Sequence, residues 1–346
     1  TRASHIILSY NNDGFMSKDF IESTLKRYGV EDSYTCLSID YKKYNNTKCQ
    51  GKDGHQEYLF YIEKKPLTDI IVESPLNYTG SKSKMVDIIK SHLPSQPIDT
   101  LMDAFGGGFN VGINIPSNKT IYNDINPFVE GLVKSFSTDV YSYLMYVSKL
   151  INKFKLSPNN REGYLALRKK YNETPIDKRD PRMLYTLILY GFQQQIRFNT
   201  NHGFNNPPGS RWFNECLLSK FITFARCSKN KDVEYCNLSF DQLIERITPE
   251  TFVYADPPYR STLGVYNDGK RGFEGWTIQH EQNLCMFLDQ INERGSRFML
   301  SYVLRIDNFY NKEMANWAAT NNYHVIDIEV PQGRYNNRRE VLIINY

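Results

Sequence analysis

An α/β fold with a doubly wound, mostly parallel sheet is predicted by three observations. From Pro75 onward, strand-like and helix-like stretches alternate, as in parallel sheets with crossover helices. A strand-like run, Thr100–Phe105, ends in three glycines, Gly106 to Gly108. An apolar run, Thr251–Ala255, leads straight into Asp256-Pro257-Pro258-Tyr259, which places a carboxylate at the carboxyl edge of the sheet, where ligands of doubly wound folds bind.

The elements follow in order. Ser4 to Tyr10 resembles Ser296 to Tyr302. Each is followed by a helix-like stretch (Lys18–Tyr28 and Asn311–Asn321), a strand-like stretch (Ser33–Ile39 and Tyr323–Val330) and an apolar strand (Glu57–Ile62 and Glu340–Ile344). Both copies read β-α-β-β, with the last two strands placed to pair as an antiparallel hairpin. Residues 1–63 are either a short α/β unit of chance similarity or the end of a preceding, similar domain. Tyr41 to Gln56 is polar and lysine-rich, and residues 64–72 read as a linker beginning near Glu63-Lys64-Lys65-Pro66. The loop Pro75–Lys84 precedes a helix with Met85, Ile88 and Ile89 on one face. Thr120–Tyr122 is a short strand closing at Asn123-Asp124, and Phe298–Tyr302 is a further strand.

Between about Ser142 and Tyr235 the strand pattern disappears. Val140–Leu156 and Met183–Ile196 read as helices, the second with Leu184, Leu187, Ile188 and Phe192 at helical spacing. Phe198–Arg211 is rich in turn residues. The expected organisation is therefore a main domain of residues 73–141 and 235–346, interrupted by a helical insertion of residues 142–234. From Lys153 to Glu234 there are 15 lysines and arginines against 7 acids, a net +8. The whole chain carries only +4, so the remainder is at −4. That asymmetry suits a polyanion on one face, and a solvated helical face is the plainer alternative.

Composition narrows the classes. At 346 residues, 40% hydrophobic and 23% charged, the chain is an ordinary globular protein with a large core. Its six cysteines have no C-x-x-C spacing and read as reduced thiols of a cytoplasmic protein. Six histidines without clustered ligand spacing give no expectation of a metal. No apolar run approaches the ~20 residues that span a bilayer, and no signal peptide is expected. The chain starts at Thr1, which reads as a boundary or a processed end.

Asp256-Pro257-Pro258-Tyr259 carries the most chemistry. The lone pair of an aromatic amine is delocalised into its ring. Acceptors aimed at its hydrogens push density back onto nitrogen. The Asp256 carboxylate and the Pro257 carbonyl, stiffened by two prolines, are such a pair, and Tyr259 can stack on a base swung out of a duplex. The glycines after Asp103-Ala104-Phe105 let a nucleotide-like ligand approach the backbone. Asp124, about 20 residues on, can accept from ribose hydroxyls. In the opening loop, Lys82 can pair with a carboxylate and Tyr78 can pack on a sulfonium.

These segments, in this order and with a basic insertion before Asp-Pro-Pro-Tyr, resemble the Dam-type adenine-N6 DNA methyltransferases. Leu76 to Lys82 looks like their L-K-W-x-G-G-K, and Asp103 to Gly108 like their D/E-P-F-x-G-x-G. Asn123 to Asn126 is their N-D-I-N intact. Arg197-Phe198-Asn199 with Phe204 to Gly209 is similar to their R-Y-N…F-N-x-P-x-G target-recognition hairpin. The likeness covers about residues 70–346. Residues 1–63 resemble the tail of a first enzyme in fused methyltransferases of the FokI modification type, whose catalytic part would be missing here.

The resemblance implies a Rossmann-like sheet with an antiparallel C-terminal hairpin strand and a helical target-recognition insertion. It implies S-adenosylmethionine as methyl donor, S-adenosylhomocysteine as product, direct in-line transfer, and no metal. Asp256, Pro257, Pro258 and Tyr259 match catalytic positions. Tyr78, Gly80, Lys82, Asp103, Phe105, Gly106, Gly107, Asp124, Ile125, Phe240 and Asp256 match cofactor positions. Arg197, Asn199, Asn201, His202, Asn205 and Arg211 are matched to DNA contacts. The implied partner is duplex DNA with a short specific site, in a restriction-modification system, and the enzyme is expected to act as a cytoplasmic monomer.

The sequence departs from the pattern in places. Tyr78 replaces a Trp, Ser81 replaces a Gly, the glycine run carries an extra member, and Ser239 stands where many relatives have an acid. The same chemistry would serve cytosine N4, an RNA base or a protein glutamine, and a catalytically silent DNA-binding protein is the reading from another class.

Overall fold

The computed structural model describes residues 4–12, 14–40, 56–65, 70–78, 80–260, 275–328 and 337–346. Most of the lysine-rich stretch (41–55), Pro66, Thr79 and Val330 lie outside the described residues. The chain divides into two compact units, residues 1–71 and 72–346.

The first unit comprises β1 (His5–Asn11), α1 (Lys18–Tyr28), β2 (Thr35–Asp40) and β3 (Gln56–Glu63). Ser17 caps α1 by accepting from the Phe20 N–H. The sheet order is β1-β3-β2, antiparallel throughout.

The second unit carries an eight-stranded sheet. Its strands are β4 (Thr100–Asp103), β5 (Lys119–Asn123), β6 (Val233–Cys236), β7 (Thr251–Ala255), β8 (Arg297–Ile306), β9 (Phe309–Tyr310), β10 (His324–Ile328) and β11 (Arg338–Ile344). The order is β10-β11-β8-β7-β4-β5-β6, with β9 beside β8. Pairings β8-β7, β7-β4, β4-β5 and β5-β6 are parallel, while β11 runs antiparallel between β8 and β10. The predicted α/β sheet with an antiparallel hairpin strand is therefore the observed one. Every residue of β7 is buried, as expected of a strand covered on both faces. The chain runs outward from β4 through β5 and β6, then returns to β7 on the other side of β4. The topological switch point thus lies between β4 and β7, the strands that end at Asp103 and Asp256.

The C-terminal segment β8-α9-β10-β11 has the connectivity of β1-α1-β2-β3, and the order β8-β11-β10 matches β1-β3-β2. Burial differs. Ile7 of β1 is 69% exposed, whereas its counterpart Met299 is 0% exposed, packed with Met85, Ile89 and Leu342. Leu37 and Ile39 are exposed on the face that carries Ile7.

The helices are α2 (Val86–Ser91), α3 (Pro127–Phe136), α4 (Val140–Phe154), α5 (Arg161–Glu173), α6 (Pro181–Tyr190), α7 (Glu215–Asn230), α8 (Ile278–Glu293) and α9 (Lys312–Thr320). Asn126 caps α3 through the Phe128 and Val129 N–H groups, with Pro127 at the first position. Rings from α3, α4, α6 and α7 (Phe136, Tyr143, Tyr185, Phe221 and Phe224) form one cluster with Phe109 and Tyr122 of the sheet layer. The insertion therefore shares a core with the strands it interrupts.

Two expectations are corrected. The helix predicted over Met183–Ile196 stops at Tyr190, because Gly191 is extended and Gln193 and Gln194 take left-handed φ of 50° and 56°. Phe192, placed on the apolar stripe, is 49% exposed. A fifth parallel strand, β6, begins at Val233, within the stretch read as strand-free. It spans four residues, too short for its periodicity to stand out.

Leu342→Ala is expected to destabilise the protein by about 2–5 kcal/mol, the cost of a fully buried leucine. Leu37→Ala, on the exposed face of the first unit, should cost less than about 1 kcal/mol. Urea unfolding of both variants checks the contrast, and equal losses would contradict the burial assignment.

Candidate active site

Strand β7 delivers Asp256 to the sheet's edge, and the next two residues remove backbone freedom: Pro257 is buried and Pro258 exposed. The Asp256 carboxylate is already engaged. Its Oδ1 lies 3.0 Å from Lys82 Nζ and accepts a hydrogen bond from Tyr259 OH at 2.6 Å. Lys82 Nζ in turn donates to Tyr259 OH at 2.6 Å and lies 5.1 Å from the centre of the Tyr259 ring.

Lys82 is 4% exposed and is faced by a second carboxylate, Glu340 Oε1, at 3.3 Å. Glu340 is 1% exposed, and its Oε2 accepts from Arg338 Nη2 at 2.8 Å and Nε at 3.2 Å. A register shift between Arg339 and Glu340, where β11 meets β8, accompanies the inward placement of Glu340. Burial works against the charge on Lys82, but Asp256, Tyr254 and Glu340 outweigh it and hold its pKa above the usual lysine value. Burial raises the pKa of Asp256, opposed by Lys82 and the Tyr259 hydroxyl. Burial and Asp256 push the Tyr259 phenol well above its usual range.

The Tyr259 ring is buried and packs at a right angle to Tyr302, centroids 5.2 Å apart, with Lys82 at its hydroxyl end. In this conformation its face is not offered to a base, and stacking requires the ring to swing out. Behind it, Glu281 accepts from Tyr302 OH and from Asn311 Nδ2, and lies 3.2 Å from Arg260, the residue after Tyr259.

One strand over, Asp103 ends β4. Its Oδ2 accepts from the Gly112 N–H at 3.2 Å. Burial pushes its carboxyl up to about 8, opposed by that N–H and reinforced by Asp256 and Asp124. Gly107 has a left-handed φ of 48°, and a side chain there would meet the Tyr78 ring at 2.8 Å. Beside β4, Asp124 follows β5. Its Oδ2 accepts from Gly107 N–H at 2.9 Å and its Oδ1 from Asn126 N–H at 2.8 Å. Both carboxylate oxygens are therefore held in place by backbone donors. Asn123 ties the neighbourhood together, donating to the carbonyls of Ala104 and Leu238 and accepting from Leu238 N–H.

An aromatic group completes this edge. Phe105 and Phe240 lie 5.3 Å apart, and Trp276 is 6.0 Å from each. Trp276 Nε1 is buried and finds no acceptor among the described residues. The structure thus brings Asp103, Phe105, Gly106, Gly107, Asp124, Ile125 and Phe240 to the ends of β4 and β5 and the segment after β6. Tyr78, Gly80 and Lys82 come from the opening loop. Among the described residues no group of three His, Cys, Asp or Glu is placed to hold a metal ion. No helix of these residues is long and apolar enough to cross a membrane.

The remaining candidates sit on the insertion. A small hairpin pairs Phe198 with Phe204, and Phe198 stacks on Phe128 of α3 at 4.2 Å. Arg197 and Asn201 are exposed, while Asn205 and His202 are half-buried. Asn199 Oδ1 closes the turn by accepting from Asn201 N–H (3.0 Å) and Gly203 N–H (2.8 Å). Arg179 donates to the His202 carbonyl at 2.6 Å. Arg211 does not join them. With Trp212 it lines a cleft of about 440 Å³ opposite Ser74, Asn77, Ser81 and Ser83 of the opening loop. Asn77 Nδ2 also donates to the Gln193 carbonyl at 2.7 Å, next to that cleft.

Sequence reasoning missed Glu340, Trp276, Glu281 and Trp212. An acid at the head of an otherwise apolar strand, Glu340-Val341-Leu342-Ile343-Ile344, was the available signal for the first.

Residues 78–330 match the family described as D12 class N6 adenine-specific DNA methyltransferase. The chain is 35% identical, over 99% of its length, to the Type II methyltransferase M.FokI of Planomicrobium okeanokoites, of which it covers 56%. It is 33% identical, again over 99% of its length, to the modification methylase StsI of Streptococcus sanguinis, covering 56% of that protein. It is 26% identical, over 65% of its length, to a DNA adenine methylase of Vibrio cholerae, covering 79% of it. The chain spans about half the length of the first two relatives.

The raised pKa of Asp103 sets a pH dependence. Between its ordinary value of 3.8 and about 8, the folded protein keeps a proton that the unfolded chain releases. Stability contributed by this group is therefore lost progressively as pH rises from about 4 to about 8. Asp103→Asn removes the effect, so its melting temperature relative to wild type should increase between about pH 5 and pH 9. A pH-independent difference would count against a buried, protonated Asp103.

Proposed function

The chain belongs to the D12 class of N6 adenine-specific DNA methyltransferases, and on that premise we propose that it methylates adenine N6 within a short specific site in duplex DNA. The observation that carries the proposal is the position of Asp256-Pro257-Pro258-Tyr259, rigid at the sheet's edge beside the switch point. An amine arriving there meets the Asp256 carboxylate and the Pro257 carbonyl as acceptors for its two hydrogens. Tyr259, once released from Tyr302 and Lys82, is the residue to face the extruded base. These groups act by alignment and fixed electrostatics.

S-adenosylmethionine, when bound, supplies an electrophilic methyl group on a sulfonium. The residues present fit that molecule. Asp124 is a carboxylate at the end of β5, the chemistry a ribose hydroxyl needs as acceptor, and Phe105, Phe240 and Trp276 offer apolar surface for an adenine ring. Tyr78, Gly80, Lys82, Asp103, Gly106, Gly107 and Ile125 would surround the rest. S-adenosylhomocysteine is the expected product.

Duplex DNA is the proposed partner of the basic insertion. Its hairpin presents Arg197 and Asn201, with Asn199 holding the turn and Asn205 and His202 behind, while Arg211 lines the neighbouring cleft. Affinity should fall steeply with salt, since phosphate neutralisation releases counterions. The likeness to modification methylases supports a role in restriction-modification, and a monomer in a bacterial-type cytoplasm is proposed with it. The connectivity of residues 1–63, with the bare face of Ile7, Leu37 and Ile39, supports their being the end of a further methyltransferase half.

Incubation of duplex DNA with the protein and methyl donor, followed by digestion to nucleosides and mass spectrometry, should yield N6-methyl-2′-deoxyadenosine. N4-methylcytosine alone would refute the adenine assignment, and DNA binding without measurable affinity for the methyl donor would favour a silent binding protein. Asp256→Ala is expected to abolish transfer while leaving DNA affinity within about threefold, since the carboxylate is placed at the reacting amine and not on the DNA-facing insertion. Arg197→Ala should weaken specific binding by about 1–3 kcal/mol if the side chain reads a base. An unchanged site preference would contradict that role.

A further inference from the structure

Lys82 lies between two carboxylates at nearly equal distance, 3.0 Å from Asp256 Oδ1 and 3.3 Å from Glu340 Oε1. The two contacts are not equivalent. Lys82 also donates to Tyr259 OH, which donates to Asp256, so its hydrogen bonds tie down both residues that must meet the base. Glu340 Oε1 is buried and accepts no hydrogen bond among the described residues, although the ammonium is beside it. Its other oxygen is fixed by Arg338. Tyr254, on β7, is the other titratable side chain acting on Lys82.

We infer that Glu340 is a positioning residue that takes Lys82 from Asp256 as the target base enters, freeing the carboxylate and Tyr259 for the amine and the ring. The inference rests on the reading that Asp256 receives an aromatic amine. A carboxylate bound to an ammonium is a weaker acceptor for a third donor, because its charge is already drawn upon. An unbonded acceptor beside Lys82 allows the exchange by a small shift of Nζ, with no new charge buried. While no base is present, Lys82 keeps the buried Asp256 compensated, and when the base arrives Glu340 compensates Lys82 instead.

The test is a double-mutant cycle on methyl transfer at saturating donor and DNA, using wild type, Glu340→Gln, Lys82→Met and the double variant. Glu340→Gln should lower kcat by about tenfold or more, with DNA affinity within about twofold of wild type. Lys82→Met should raise the KM for the methyl donor, which Lys82 also helps to surround, yet retain measurable transfer at saturating donor, since Lys82 restrains Asp256 rather than reacting. In the Lys82→Met background Glu340→Gln should cost less than about twofold, because there is no longer an ammonium to hold. An equal loss in both backgrounds would assign Glu340 a merely structural role and overturn the inference, as would complete loss of transfer in Lys82→Met. If Glu340→Gln does not fold, Arg338→Gln, which loosens the same carboxylate, should show the same dependence on Lys82. Wild-type protein that transfers no methyl to DNA would instead sink the underlying reading.

Discussion

The buried ammonium of Lys82 holds the candidate site together. It comes from the loop before α2, yet it meets a carboxylate after β7 and another on β11, with the Tyr259 hydroxyl between. Charges this deep are costly unless compensated, and removing one partner of such a set typically costs about 3–5 kcal/mol. Compensation here is close to complete: Lys82 and Arg338 face Asp256 and Glu340. The opening loop, the Asp-Pro-Pro-Tyr turn and the antiparallel strand are therefore fixed relative to one another by charge, and the parallel strands supply the frame.

That frame explains why the remaining candidates converge. A switch point between β4 and β7 places the ends of two adjacent parallel strands side by side, and each ends in an acid. Their environments separate them chemically. Asp103 is sealed in with only one backbone donor, so burial keeps it protonated at neutral pH. Asp256 faces a lysine and a phenol. Asp124 is braced by two backbone N–H groups. Three carboxyl groups on one edge can thus serve as a neutral packing element, an acceptor for an amine and an acceptor for hydroxyls.

Much of this was legible in the sequence, for physical reasons. The apolar run Thr251–Ala255, the glycines after Asp103 and the Asn-Asp-Ile-Asn segment are local patterns, and they landed on a buried strand, a tight turn and a capped helix start. Less local features were not legible. Lys82 and Glu340 are far apart in the chain, and no period or spacing signals an ion pair that only the sheet order creates. The end of α6 was misplaced because Gln193 and Gln194 adopt left-handed backbone without being glycine, held by the neighbouring Gly191, Pro207 and Asn77 contacts. The inward turn of Tyr259 was also hidden, since its partner Tyr302 lies on the next strand, β8, beyond helix α8.

The proposed role of the Asp256 carboxylate and Pro257 carbonyl is to receive the exocyclic amine of an extruded adenine. It is tested most directly by a crystal structure of the protein with S-adenosylhomocysteine and a duplex containing its site. N6 of one adenine is expected within hydrogen-bond distance, about 2.7–3.2 Å, of both acceptors, with Tyr259 stacked on the base and Lys82 hydrogen-bonded to Glu340. A complex in which every adenine remains stacked in the duplex, or in which Asp256 keeps Lys82 and Tyr259 while the amine lies elsewhere, would contradict it.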